Sequence, residues 1–234
     1  MKKILTIIIL TTLTICVVAQ NPRQRPPRGS ERSVVSTERG IDDPRAHAIL
    51  SDVRKHLKSF RSLKIEFTFL MENRNERTSE SQKGTILIRG NRYRMDFMGQ
   101  TMISDGRTAW SFNREANEVV ISTADPKDME TLNPLALLEN YEKNFRAKLI
   151  REDRDRGVAV MIIDLQPFEN RSFHKVRVIT DKDKNTIVAT EIHEKNGTTM
   201  TFRVDRMQTN VPAPDSEFRF DVSKHQGIEV IDMR

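Results

Sequence analysis

The chain has little of several residue types, and each scarcity excludes a class of protein. It has one cysteine, Cys16, among 234 residues, so no disulfide can form within one chain. Its one long apolar run, from Ile4 to Val18, is too short to predict a membrane span. The sequence also lacks a Gly-x-Ser-x-Gly, a glycine-rich phosphate loop, a His-Glu-x-x-His and a cysteine pair. The common motifs of hydrolases, nucleotide-binding proteins and zinc enzymes are therefore missing.

The first residues are typical of a secretory signal peptide. Lys2-Lys3 precedes the apolar run, and Ala19-Gln20 follows it, which predicts a signal peptide over residues 1–19 with cleavage near Ala19. Lipidation at Cys16 is not expected, because Ile15 stands where a lipoprotein signal has a small residue. Cleavage would remove the only cysteine, and an exported chain without disulfides suits a bacterial periplasm.

The mature chain divides into a leader and one domain. Residues 20–40 are rich in Arg, Pro and Ser, which predicts a disordered leader. Residues 41–234 are predicted to form a single domain. Loss of Lys2 and Lys3 leaves 37 basic residues against 33 acidic ones. Because both signs are interspersed after residue 40, the charge indicates a solvated surface and no nucleic-acid partner.

Two helical regions are predicted. Asp42-Asp43-Pro44 is a helix start, and an apolar stripe runs from Ala46 to Phe60 at steps of three and four. The second region, from 125 to 145, is divided by Asn133-Pro134 into two apolar pieces. Such amphipathic helices must pack on an apolar surface, and we expect both to cover the same face of a sheet.

The remaining chain predicts an antiparallel sheet. A first strand covers 65–71, and residues 84–120 form a meander with turns at Gly90-Asn91 and Asp105-Gly106. Later strands are predicted at 146–152, 157–165, 172–181, 186–194, 198–208, 217–221 and 228–232.

The meander has one large apolar face. Tyr93, Met95 and Phe97 alternate with charged residues, and Trp110 and Phe112 are also two apart. On the pattern alone, this face is either an ordinary core or a concave surface that holds a lipid. Methionines such as Met71 and Met161 are compatible with both interpretations, since methionine fills irregular space in a core and can repack around a ligand.

Three linked motifs carry a resemblance to a known family. They are Gly84-Thr85-Ile86-Leu87-Ile88-Arg89, Arg92-Tyr93-Arg94-Met95-Asp96-Phe97, and the hairpin Asp105-Gly106-Arg107-Thr108-Ala109-Trp110-Ser111-Phe112. Leu165-Gln166-Pro167 and the end of the chain add weaker matches. The sequence from about 44 to 232 resembles the LolA-type outer-membrane lipoprotein carrier family. The resemblance implies an α+β fold: a strongly bent antiparallel sheet forms an unclosed β-barrel, with helices covering its concave apolar face.

The resemblance also implies a function. The protein would be a nonenzymatic periplasmic chaperone, monomeric and without a cofactor, that binds lipoprotein acyl chains and carries them to the outer membrane. An inner-membrane LolCDE-type complex would release the lipoproteins, and an outer-membrane acceptor would receive them. In the family, an arginine on the sheet holds the helices closed by hydrogen bonds, and Arg89 is the matching position. Here Gly90 follows it where many members have proline. The side chains expected to line the cavity are Phe67, Phe69, Met71, Leu87, Tyr93, Met95, Phe97, Trp110, Phe112, Leu132, Leu135, Leu138 and Met161.

Two other classes of function stay open. The same fold could serve a periplasmic binding or sensor protein for free lipid or another hydrophobic ligand. A hydrolase would need a nucleophile and a base, and the sequence offers no convincing pair. His193-Glu194 begins like a zinc motif but lacks the second histidine, so no metal site is expected.

Overall fold

The computed structural model describes residues 42–125 and 134–234, and of residues 134–136 the backbone alone. The described residues all lie in one compact unit, Glu38–Arg234. They form two α-helices, twelve strands and two short 3₁₀ helices. The helices are α1 (Pro44–Lys58) and α2 (Pro134–Asn144). The strands are β1 (Leu63–Asn73), β2 (Thr78–Arg89), β3 (Arg92–Phe97), β4 (Gln100–Ser104), β5 (Thr108–Asn113), β6 (Glu118–Thr123), β7 (Phe145–Asp155), β8 (Val158–Pro167), β9 (Phe173–Asp181), β10 (Thr186–Glu194), β11 (Thr198–Thr209) and β12 (Glu229–Asp232).

Helix α1 begins where the sequence predicts. The Asp43 carboxylate accepts a hydrogen bond from the Arg45 backbone N–H at 2.9 Å, and Pro44 occupies the first helical position. At the other end, the Ser59 hydroxyl donates to the carbonyl of His56 at 2.6 Å. The helix buries Ala46, Leu50, Val53 and Leu57, which confirms the predicted stripe. Helix α2 confirms a helix after Asn133-Pro134, while the expected first piece, 126–133, lies outside the described residues.

All twelve strands form one sheet that is not closed. Its order is β12-β6-β5-β4-β3-β2-β1-β11-β10-β9-β8-β7, so β12 and β7 are the edges. Strand β1 lies at the centre, paired on one side with β2 and on the other with β11. Every pairing is antiparallel except that of β12 with β6, which is parallel. The α+β architecture expected from the sequence is confirmed.

The predicted turns of the meander are also confirmed. Gly90 and Gly106 both have positive φ, at 61° and 90°, as tight hairpins require. Asp105 fixes the second turn, because its carboxylate accepts from the backbone N–H groups of Arg107 and Thr108, each at 2.9 Å. The strands predicted between 146 and 208 are found within a few residues of their expected bounds.

Strand register assigns each side chain to one of two faces. Along one row, Leu63, Ile88, Tyr93 and Ser104 are successive cross-strand partners, and the helices lie on this side; we call it the concave face. The next row along the strands holds Leu87, Arg94, Ile103 and Trp110, which point to the opposite side, called the outer face.

The main hydrophobic core lies between the concave face and the two helices. It includes Leu50 and Val53 from α1 and Leu138 and Tyr141 from α2, together with the inward residues of β1, β2, β3 and β7 to β11. A smaller cluster, containing Val160, Ile162, Ile179 and Ala189, lies on the outer face of β8 to β10. Strand β8 is therefore buried on both faces, as its continuous apolar sequence predicts.

The prediction of a strand over 217–221 is wrong. Residues Asp215–Phe218 and Val222–Lys224 form 3₁₀ helices, and only Glu229–Asp232 pairs in the sheet. Pro212 and Pro214 supply no N–H donors, which disfavours a ladder. Residues 211–228, called the C-terminal segment, lie instead across the outer face, where Phe218 is completely buried and Phe220 contacts Phe112.

Candidate ligand-binding cavity

Phenylalanine and methionine side chains form the middle of the concave face. Four rings cluster there, and their centroids are separated by 4.8 Å between Phe69 and Phe202, 5.3 Å between Phe69 and Phe97, and 5.5 Å between Phe67 and Phe97. The Phe67 ring can pack against β2 because its partner there, Gly84, has no side chain. The result is an apolar surface formed by four aromatic rings.

Methionines border this ring cluster. Met95 and Met102 are cross-strand partners on β3 and β4, and Met71 and Met200 are partners on β1 and β11. Met95 is fully buried, whereas Met71, Met102 and Met200 are half-buried and pack against the core. Unbranched and polarisable side chains of this kind can adapt to contacts of different shape.

The two helices are joined to each other by polar contacts over the apolar face. The Lys58 ammonium lies 2.8 Å from the Glu139 carboxylate, and the Arg54 guanidinium lies 3.4 Å from that of Glu142. These pairs are substantially exposed, so each contributes little to stability. Such contacts can hold the helices together while still allowing them to separate.

A third contact between the helices is more buried. The Tyr141 hydroxyl lies 3.1 Å from Nδ1 of His47, and His47 Nε2 lies 2.6 Å from the carboxylate of Asp42. Burial and the nearby Glu142 carboxylate raise the pKa of Tyr141 above its ordinary value, so its hydroxyl stays protonated at neutral pH. This chain of hydrogen bonds fixes the N-terminal half of α1 against α2.

A cavity of about 570 Å³ opens at the other end of α1. Leu57, Phe60, Leu63, Ile88 and Tyr93 supply its apolar wall. Lys58, Arg61, Arg92, Asp125 and Glu139 supply polar groups. Its volume lies in the roughly 300–1,000 Å³ range of small-molecule pockets. A wall that combines apolar side chains with charged ones suits an amphiphile.

The structure brings most of the predicted cavity residues to the concave side. Phe67, Phe69, Met71, Tyr93, Met95, Phe97 and Leu138 all belong to the main core or pack against it. Met161 lies on the same face by alternation with Ile163, outside the main core cluster. Leu132 lies outside the described residues, as does the side chain of Leu135.

For three residues the register corrects the expected assignment. Leu87, Trp110 and Phe112 lie on the outer face, away from the helices. The concave positions of β5 are the small residues Ala109 and Ser111, partners of Ser104 and Met102. The aromatic side chains of β5 point outward because the C-terminal segment provides apolar contacts there, with the Phe112 and Phe220 rings 5.0 Å apart.

Arg89 also lies on the outer face. Its guanidinium donates a hydrogen bond to the carbonyl of Ala213 at 2.6 Å and forms an ion pair with Asp215. The same guanidinium lies over the Phe218 ring, 5.1 Å from the ring centroid. Hydrogen bonding to Arg89, supported by the charges of Arg89 and Arg92, lowers the pKa of Asp215. In this conformation Arg89 holds the C-terminal segment, and it forms no hydrogen bond or ion pair with α1 or α2 among the described residues.

Several concave residues were not among the predicted cavity residues. They are Phe60, Ile88, Met102, Met200 and Phe202, which belong to the main core or pack against it. Alternation along β11 could have identified Met200 and Phe202, since Phe202, Val204 and their neighbours repeat at two-residue steps.

The described residues show no arrangement typical of catalysis by a metal. Within 42–125 and 134–234 no three His, Cys, Asp or Glu side chains converge in a geometry that could hold an ion. Neither α1 nor α2 has the length and hydrophobicity of a membrane span, and no other helix among the described residues does.

Comparison with known proteins identifies the family of this chain. The family model described as "Outer membrane lipoprotein carrier protein LolA" matches residues 58–221. The chain belongs to the LolA family. It is 28% identical over 184 residues to an outer-membrane lipoprotein carrier protein from Dechloromonas aromatica (strain RCB), covering 75% of this chain and 85% of that protein.

One solved structure with a TM-score above 0.5 has the same fold. A conserved uncharacterised protein from Thermus thermophilus superimposes with a TM-score of 0.53 at 13% identity, over 80% of this chain and 99% of that one. A LolA superfamily protein from Nitrosomonas europaea matches 76% of this chain and 98% of its own, with a TM-score of 0.43 and 13% identity.

Proposed function

We propose that this LolA-family protein is a nonenzymatic periplasmic carrier, which binds the acyl chains of lipoproteins released from the inner membrane and carries them to the outer membrane. The observation that carries the proposal is the concave face, where four phenylalanines and four methionines form one apolar surface beneath two helices. The cavity beside Leu57 and Tyr93 opens at one end of that surface.

A carrier has to release what it binds. Each buried methylene contributes roughly 0.8 kcal/mol, so complete burial of several long chains would exceed the practical limit of noncovalent affinity. Part of the binding energy must therefore be spent on moving α1 and α2 away from the concave face. The exposed pairs Lys58–Glu139 and Arg54–Glu142 suit this purpose, because they are weak and reversible.

Replacing contacts within the protein by contacts with an acyl chain would need little net energy. In this structure the rings and methionines fill the concave face themselves, and an entering chain would replace their mutual contacts with contacts of the same kind. A donor complex of the LolCDE type and an outer-membrane acceptor complete the proposed route.

Release from membranes is the decisive experiment. Purified residues 20–234 are incubated with energised spheroplasts that contain a labelled lipoprotein, and the supernatant is analysed for a one-to-one complex. We expect release of the label into that complex. If none is released while lipid still copurifies with the protein, lipoprotein carriage is contradicted, and binding of free lipid or another hydrophobic ligand takes its place.

A matched pair of variants tests the site. Phe97→Glu places a charge on the concave face, and Leu87→Glu places one on the outer face of the paired strand; both positions are half-buried. We expect Phe97→Glu to abolish release and Leu87→Glu to preserve it. Equal loss in both variants would contradict the assignment of the concave face.

A further inference from the structure

A second groove lies on the opposite side of the sheet. It is formed by the outer face of β3 to β5 and the C-terminal segment, and its volume is about 840 Å³. Register separates it from the concave cavity: Thr101 and Phe112, which line it, are cross-strand partners, while the adjacent Met102 points to the concave side. We call it the outer groove.

The floor of the outer groove is aromatic and apolar. Ile103 and Phe112 are almost fully buried, and the Phe112 ring contacts His225 at 4.5 Å between centroids. His225 in turn stacks on Phe220, with centroids 4.7 Å apart and planes inclined by 15°. Val222 at the margin is 37% exposed. An apolar group lying here would displace water from Phe220, Val222 and His225, the side chains of the floor that remain accessible.

The carboxylates of the outer groove already have partners. Asp215 is bound by Arg89 and Arg92, and Asp221 pairs with Lys224 at 3.4 Å and accepts from the Ser223 hydroxyl. Glu217 lies 4.0 Å from Arg94. The acidic charge of the groove is therefore balanced by side chains of the protein itself.

Two arginine side chains of the outer groove have no carboxylate partner among the described residues. Arg114 and Arg219 both line the groove and are exposed, and neither forms an ion pair with another residue that the structure describes. Arg219 acts on the carboxylates of Asp105 and Asp215 through longer-range attraction. Guanidinium groups bind phosphate with paired hydrogen bonds, and their field attracts anions.

We propose that the outer groove binds one anionic phospholipid, whose phosphate pairs with Arg114 and Arg219 while the first part of its apolar chains lies over Phe220 and Val222. The charge of the two arginines favours an anionic ligand over a neutral amphiphile, and contact with the apolar floor favours a lipid over inorganic phosphate. This site is separate from the concave cavity, and its occupation does not depend on lipoprotein carriage.

Calorimetry with a soluble probe tests the proposal. Dihexanoyl phosphatidylglycerol, kept below its micellar concentration, is titrated into the mature protein, and dihexanoyl phosphatidylcholine and inorganic phosphate serve as comparison ligands. We expect the phosphatidylglycerol to bind more tightly than either. Arg114→Gln and Arg219→Gln should each weaken its binding by about tenfold, which corresponds to one lost charge-assisted interaction.

Two control variants locate the site. Arg206→Gln removes an exposed arginine on β11 that lines neither cavity, so binding should be unchanged. Phe97→Glu alters the concave face and should also leave binding of this probe unchanged. NMR shifts at Thr101, Ile103 and Phe112 should change on titration in the wild type.

Several results would overturn the proposal. One is equal binding of the phosphatidylcholine, and another is equally tight binding of inorganic phosphate. Insensitivity to both arginine substitutions, or loss of binding through Phe97→Glu alone, would equally exclude the outer groove as the site.

Discussion

The two faces of the first half of the sheet are covered in different ways. On the concave side, the helices cover Phe67, Met95 and their neighbours through apolar packing, and the ion pairs Lys58–Glu139 and Arg54–Glu142 join one helix to the other. On the outer side, the C-terminal segment is held to the sheet by directional contacts from Arg89 and Arg92 to Asp215, and by the buried Phe218 ring.

The difference is one of specificity. Apolar packing has little directional preference, so its partners can be exchanged for other apolar groups at small cost. Hydrogen bonds and ion pairs fix one geometry, and a group that loses its partner remains unsatisfied. We call α1 and α2 the concave cover and the C-terminal segment the outer cover. We therefore expect that a ligand can replace the contacts of the concave cover, whereas the outer cover stays bound to the sheet.

Phe218→Ala should give the largest effect and would break the outer cover. The side chain is 0% exposed, and truncation of a buried phenylalanine costs about 3–5 kcal/mol. Urea unfolding measures the loss, with Phe168→Ala as control because that ring is 49% exposed. A loss no greater than that of the control would show that the outer cover contributes little to stability.

Asp164→Asn tests a polar cluster on the outer face of the second half of the sheet. Burial alone would raise the pKa of Asp164, but hydrogen bonds from Arg177 and Lys175, at 2.7 and 2.9 Å, hold it below its ordinary value. Loss of the charge should cost about 2 kcal/mol, less than for a fully buried pair since both cations are partly exposed.

The pH dependence has a definite sign. Because folding lowers the pKa of Asp164, its contribution is present above the ordinary aspartate pKa of about 3.9 and is lost as the pH falls below that value towards the folded-state pKa. Unfolding free energies measured from pH 7 to pH 2 should fall less steeply in Asp164→Asn at the acid end. Identical acid slopes would contradict this role.

Gly84→Ala tests how tightly the concave face is packed. The new Cβ would overlap Cζ of Phe67, so the ring must move into its aromatic neighbours. Overpacking of this kind costs about 1–3 kcal/mol. Thermal unfolding provides the measurement, and Phe67→Leu in the same chain should recover part of the loss because it removes the clash. Neutrality of the single variant would show that this face is looser than the structure indicates.

Arg89→Leu should have the smallest effect on stability and would sharpen the comparison most. It removes the contacts to Ala213 and Asp215 at a partly exposed site, at a cost of about 1 kcal/mol. We expect faster proteolysis within residues 211–220, while the release assay stays normal. Arg206→Leu is the control. Impaired lipoprotein release with unchanged proteolysis would instead support the latch on the helices that the family resemblance implies.

The sequence predicts the elements of this fold better than their faces. The N-cap at Asp43 and the turns at Gly90 and Asp105-Gly106 depend on local chemistry, which a single sequence shows directly. The face of Trp110 depends on register across the turn before it, where Ser104 pairs with Ala109. One residue of shift would exchange the two faces.

The C-terminal segment shows a second limit. Phe218 and Phe220 are two residues apart, which is the spacing of a strand, yet Phe218 lies at the end of a 3₁₀ helix. Its burial depends on Arg89 and the outer face of the meander, more than a hundred residues earlier in the chain. The pattern of residues around Phe218 therefore cannot predict that this side chain is buried against distant strands.

The central position of β1 has a consequence for how the chain reaches its folded state. Strands β1 to β6 can pair as they emerge in order, but the other edge of β1 must wait for β11, which brings Phe69 beside Phe202. Contacts so distant in sequence slow folding, because a long loop must close before they form. Until then β1 presents an unpaired edge bordered by Phe67, Phe69 and Met71, a template for aggregation. We expect refolding to be slow and its yield to fall with protein concentration.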